Sequence, residues 1–124
     1  MARPSVLLTP EVVDGLLARL DEGDTGRDVL KPLVKHYLGV LAQRAPGRSV
    51  EVRVPPYAAV QCIEGSTHTR GTPPAVVETD AATWVALARG RLTWAEAVGD
   101  GTRVRASGTR SDLSAHLPLE DRPA

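Results

Sequence analysis

The sequence predicts an α+β fold, a sheet with helices packed over one face. Three observations carry this. Two stretches before residue 45 repeat apolar side chains at helical spacing, the period switches to strand alternation from Ser49, and the later strands and helices are partly segregated rather than alternating as βαβ units. At 124 residues the chain is long enough for one domain with an apolar core and short for two. A single domain over 1–124 is expected, with 1–24 as a helical extension and 118–124 as a flexible tail.

Thr9-Pro10-Glu11 reads as a helix start: a hydroxyl at the N-cap, a proline at the first helical position where its missing N–H costs nothing, and a carboxylate at the positive end of the dipole. Val12, Val13, Leu16, Leu17 and Leu20 follow as an apolar stripe, and Gly23 offers a stop. Leu30, Leu33, Val34, Tyr37, Leu38 and Leu41 mark a second helix, ended by Ala45-Pro46-Gly47. Pro32 is expected in or just before its first turn, because deeper it would remove a hydrogen bond. His36 lies beside the stripe and reads as a partly exposed helix histidine.

Val50, Val52 and Val54 alternate with Glu51 and Arg53, a strand with one buried and one wet face. Pro55-Pro56 ends or bends it, and Tyr57 to Ile63 is a second strand close enough in sequence to pair antiparallel. Ala75-Val76-Val77-Glu78 is a short third strand. Asp80 caps a helix carrying Trp84, Val85, Leu87 and Ala88 up to Gly90, and Thr93 and Glu96 form a capping box for a short helix through Val98. After the Gly99-Asp100-Gly101 turn, Val104 and Ala106 alternate with Arg103, Arg105 and Ser107 in a last strand, followed by a short helix around Asp112 to Leu117.

Hydrophobic residues make up 42% and charged residues 24%, the values of an ordinary globular chain. Fifteen basic and fifteen acidic side chains cancel, so no net field draws the protein to nucleic acid or to an anionic membrane. With only Lys31 and Lys35 as lysines and with Asn and Phe absent, the arginine excess reads as codon bias rather than phosphate binding. One cysteine, Cys62, cannot form an internal disulfide, which fits a reducing cytoplasm. No apolar run approaches a signal-peptide core or a membrane span, so neither export by that route nor membrane insertion is expected.

The stretch "CIEGSTHTRGTPP", residues 62–74, concentrates a thiol, a carboxylate, an imidazole and a guanidinium. A zinc site needs three or four convergent ligands, with pairs about two to five residues apart. Cys62 and His68 stand six apart, and His116 joins only through tertiary structure, so no metal is expected. A Cys-His nucleophile is the sharper alternative. Strand placement, however, turns Cys62 to the same face as Val60 and Ala58, which is a core thiol. No nucleophile elbow surrounds Ser66 or Ser107, and Gly65 and Gly71 lack the pattern of a phosphate loop. No catalytic residue and no cofactor is assigned. Arg70 either holds an anionic head group or ties the loop to Glu64 or Glu78; His68, Thr69 and Arg70 are the densest polar donors in the chain. Trp84 and Trp94, with Leu87, Leu92 and Val98, face a sheet of small Val and Ala residues, an arrangement that permits a pocket between helices and sheet.

"VVETDAATWVALARGRLTWAEAVGDGTRVRASGTRSDL" resembles the latter half of the sterol carrier protein-2 domain: strand, acid-capped helix, glycine, short helix, glycine-bearing turn, strand. "RVPPYAAVQCIEGSTHTRGTPPAVVETD" resembles the bacterial sterol-carrier-orthologue branch of that superfamily. The resemblance covers about residues 50–117. It implies a mainly antiparallel, roughly five-stranded sheet, helices on one side, and an apolar tunnel for lipids or acyl chains. It makes Trp84, Leu87, Leu92, Trp94 and Val98 candidates for the helical wall, with Val60, Cys62 and Val104 on the sheet; His68 and Arg70, the donors of the loop, either form the polar mouth of such a pocket or hold the loop shut. The chain departs from that pattern in having no phenylalanine and in ending Arg122-Pro123-Ala124 rather than Ser-Lys-Leu.

The function expected is non-catalytic binding or carriage of a small lipid or other hydrophobic ligand in the cytoplasm. Two alternatives stand beside it. One is an enzyme or accessory domain related to thiol-dependent isomerases, in which Cys62, His68 and Arg70 serve a thiol cofactor. The other is a protein-interaction module with a filled core.

Overall fold

The computed structural model describes residues 7–65, 74–108 and 111–120. Helix α1 runs Pro10–Asp21, and the Thr9 hydroxyl accepts the Val12 N–H at 3.3 Å, as its sequence dictates. Val13 and Leu17 are buried, Leu16 and Leu20 half-buried, while Val12 turns outward at 47% exposure. Helix α2, Arg27–Arg44, buries Val29, Leu30, Leu33, Val34, Tyr37, Leu38 and Leu41. It begins earlier than the apolar pattern suggested, so Pro32 is its sixth residue rather than part of the first turn. The carbonyl that Pro32 leaves without a partner belongs to Asp28, whose side chain is largely exposed, so water can take that bond.

Four strands follow in the described residues: β1 Val50–Val54, β2 Ala58–Cys62, β3 Ala75–Thr79 and β4 Val104–Ser107. They form one sheet in the order β2-β1-β3-β4. β1 and β2 pair antiparallel with Val50 opposite Cys62 and Val54 opposite Ala58, joined by the Pro55-Pro56 turn that the Tyr57 N–H closes onto the Val54 carbonyl at 3.0 Å. β3 and β4 are also antiparallel, whereas β1 and β3 run parallel. The α+β class therefore stands, but the sheet has four strands among the described residues rather than five, and its central pair is parallel. The physical reason is connectivity. β2 ends at Cys62, opposite the start of β1 at Val50, and β3 begins at Ala75 on the other side of the same Val50, so a strand starting from that end of the sheet runs parallel to β1.

Register fixes which side chains meet the helices. Val50, Val52 and Val54 are fully buried, and Cys62, Val77, Thr79 and Val104 join them on the inner face. Glu51, Arg53, Gln61, Glu78 and Arg105 occupy the other face, where oppositely charged neighbours Arg53, Glu78 and Arg105 stand in register across β1, β3 and β4. Helix α3, Ala81–Arg89, packs beside α2, and the short α4, Trp94–Gly99, lies near β4.

The end of the described chain closes the helical layer. A 3-10 turn, Ser114–His116, separates Leu113 from Leu119, both buried in the core. The Leu119 and Glu120 N–H groups donate to the Ala88 carbonyl at 2.9 and 3.2 Å, and the Tyr37 hydroxyl donates to Glu120 at 2.7 Å. Leu119 and Glu120 were expected in a loose tail; burial of one leucine and three hydrogen bonds instead dock them on α2 and α3. No helix among the described residues is long and apolar enough to cross a membrane.

Candidate functional site

The candidate site is the layer between α3, α4 and the inner sheet face. Asp80 starts α3 by accepting the Thr83 N–H at 3.3 Å, and Gly90 ends it in the left-handed region at φ 77°, a conformation that suits glycine. Between them Trp84, Val85, Leu87 and Ala88 turn into the core, Trp84 with no exposed surface. The Thr93 hydroxyl accepts the Glu96 N–H at 3.1 Å while the Glu96 carboxylate accepts the Thr93 N–H at 3.0 Å, so α4 starts from the capping box its sequence spells.

These elements bring most of the sequence-predicted residues together. Cys62, Trp84, Leu87 and Val104 belong to one buried cluster with Leu33, Tyr37 and the β1 valines, and Val60, Leu92 and Trp94 lie half-buried against it. Val98 does not join them; it is 37% exposed on α4. His68 and Arg70 lie outside the described residues. Burial pushes the Cys62 thiol up to about 11, so at neutral pH it is a neutral core group rather than a nucleophilic thiolate. No group of three His, Cys, Asp or Glu side chains among the described residues is placed to hold a metal ion.

A groove of about 590 Å³ opens beside α3, lined by Asp80, Ala86, Arg91, Leu92, Thr102 and Arg103. Ala86 and Leu92 supply apolar lining, and the exposed Arg91 and Arg103 at its rim are each neutralised by a carboxylate. Arg91 pairs with Asp21 at 2.9 Å, and Arg103 with Asp100 at 3.1 Å. A shallower hollow of about 330 Å³ lies at the β1–β2 turn, between Pro55, Pro56, Tyr57 and Glu78.

Sequence reasoning missed Arg89. It is buried at 8% exposure and donates to both Asp21 carboxylate oxygens at 2.8 and 3.1 Å, tying the end of α1 to the end of α3. Together with Arg91 it holds the Asp21 carboxyl at about 2, below its ordinary value. An arginine in the last helical turn is a dipole-favoured placement that asks for no partner in the local sequence, so nothing pointed sixty-eight residues back. Among the described residues one buried side-chain polar atom stands alone: the Trp84 indole Nε1 has no hydrogen-bond partner.

Residues 26–119 match a family model described as bacterial SCP ortholog, leaving α1 outside the match. No curated protein matches the sequence.

Proposed function

The chain belongs to the bacterial SCP ortholog family, and from that premise we propose that it carries a small lipid or other hydrophobic ligand between its helices and the inner face of its sheet, without a catalytic step. The observation that carries this reading is the convergence of Trp84 and Leu87 from α3 with Cys62 and Val104 from the sheet in one apolar cluster. Val60, Leu92 and Trp94 complete the proposed lining, which leaves the exposed Val98 outside it, and His68 and Arg70 remain its proposed polar mouth. The groove at Leu92 is the proposed entrance, because there the apolar layer meets solvent beside the short helix α4. The lone, protonated thiol supports carriage over covalent chemistry and fits a cytoplasmic setting.

Trp84, Leu87 and Cys62 are closed off from solvent in this conformation, so uptake requires α4 or α3 to lift from the sheet. A ligand burying about 300 Å² of apolar surface would gain on the order of 7 kcal/mol before association costs, which places affinity no tighter than roughly micromolar. Native mass spectrometry of freshly purified protein, together with lipid titration followed by Trp84 and Trp94 fluorescence, tests the reading. A co-purified lipid and a saturable fluorescence change are expected. A bare mass and no saturable response across sterols, fatty alcohols, esters and acids would sink it and leave the filled-core interaction module in its place.

A further inference from the structure

We propose that the ligand is a neutral, largely apolar molecule whose buried end carries one hydrogen-bond-accepting oxygen, held by the Trp84 indole N–H; this rests on the carrier reading above and names its ligand class. Trp84 has no exposed surface, and its Nε1 is the one buried side-chain nitrogen or oxygen among the described residues without a partner. Folded proteins seldom leave a buried donor unmet, and those they do leave call for an explanation. The donor sits on α3 in the cluster that also contains Leu87, Cys62 and Val104, the residues proposed to line the carrier site.

Two partners could meet it. A buried water needs further partners, and with no second unmet side-chain atom buried among the described residues it would have to find them on backbone carbonyls. An oxygen on a bound ligand needs only the one donor. The indole N–H donates and cannot accept, so it suits a hydroxyl, ester or ketone oxygen and offers nothing to a protonated amine, which has no acceptor.

Charge narrows the class further. The only buried cationic side chain among the described residues is Arg89, and both of its terminal nitrogens already donate to Asp21. A carboxylate head brought to Trp84 would be desolvated with no counterion committed to it, whereas a neutral oxygen carries no such penalty.

The experiment uses the full-length, ¹⁵N-labelled protein with four probes of equal chain length: decane, 1-decanol, methyl decanoate and decanoate at about pH 8, where the acid is ionised. Trp94→Phe assigns the two indole N–H signals. The decanol and ester complexes are expected to shift the Trp84 indole proton downfield, the decane complex is not, and the oxygenated neutral probes should bind about three- to ten-fold tighter than decane. In Trp84→Phe, which removes the donor, the ratio of decanol to decane affinity should fall toward one whatever the change in affinity for decane itself. Should this variant fail to fold, the indole shift in the wild-type protein decides alone.

Equal affinity for decane and decanol, strongest binding of decanoate, or a Trp84 proton that exchanges magnetisation with water and ignores every probe would each overturn the proposal while leaving apolar carriage intact. Failure of all four probes to bind would instead overturn the carrier reading, and this inference with it.

Discussion

At the scale of single residues, the most informative group is His36. Its Nδ1 accepts the Leu8 N–H at 3.1 Å, which only the neutral ring can do. Burial lowers its pKa from the ordinary 6.5, with the nearby Glu120 carboxylate opposing in part. The unfolded chain therefore binds the proton more readily. His36 contributes stability that is fully present above about pH 6.5 and lost as pH falls below it. Going from about pH 7.5 to about pH 5.5, the wild-type unfolding midpoint should drop more than that of His36→Gln, which keeps an acceptor but does not titrate. Parallel drops in chemical denaturation would remove His36 as the cause. The sequence placed this histidine beside an apolar stripe, but its partner lies twenty-eight residues away and only the fold supplies it. Gly47 makes the same point. Its helix-ending role was legible, whereas the reason no side chain fits there was not: a Cβ at Gly47 would overlap the Ile63 carbonyl of a segment sixteen residues on.

Elements were legible where their signals are local. Thr9, Asp80 and the Thr93-Glu96 box each act on a backbone N–H three residues away, so the sequence names the helix start outright. Helix α2 shows the opposite case. Gly26 caps it with no side-chain bond, and without a hydroxyl or carboxylate at that position its start, and with it the place of Pro32, was misjudged. How elements dock is a further step. Helix α1 lies outside the family match, yet Asp21 fastens it to Arg89 and Arg91 on α3 and the loop after it. Those guanidinium groups hold the Asp21 carboxyl at about 2 against an ordinary 3.8, so the ion pairs stabilise the fold above about pH 4 and are lost as pH falls toward 2. Asp21→Asn should destabilise the protein at neutral pH and speed amide hydrogen exchange across Pro10–Asp21 more than across β1 and β3. The gap between variant and wild type should narrow from about pH 4 to about pH 2. Uniform acceleration through the sheet would mean that Asp21 supports the whole core rather than the docking of α1.

For the whole molecule, alternation along each strand revealed which side chains face inward but not which strands are neighbours. Val50, Val52 and Val54 read as one face from sequence alone, and they are one face. Their parallel partner Ala75–Thr79 is chosen by a chain crossing that leaves no periodic trace, which is why a sheet expected to be mainly antiparallel proved to hold a parallel β1–β3 pair at its centre. The candidate site was legible to the same degree: Cys62, Trp84 and Leu87 carry inward-facing periodicity, while the Arg91–Arg103 rim joins residues that only the fold assembles. The buried cluster draws side chains from all four helices, all four strands' layer and the closing Leu113 and Leu119, so no part of the described core can melt without exposing another. Leu87, fully packed at 1% exposure in its middle, is the direct probe of that continuity. Leu87→Ala should cost about 2–5 kcal/mol, the usual range for a leucine cavity that its surroundings cannot fill. In urea, tryptophan fluorescence and far-ultraviolet circular dichroism should still report one coincident transition for wild type and variant alike, as expected of a small single-core domain. A tryptophan transition that precedes the loss of helical signal would show instead that the α3–α4 layer separates from α1 and α2 before the rest, and would locate there the opening through which a ligand enters.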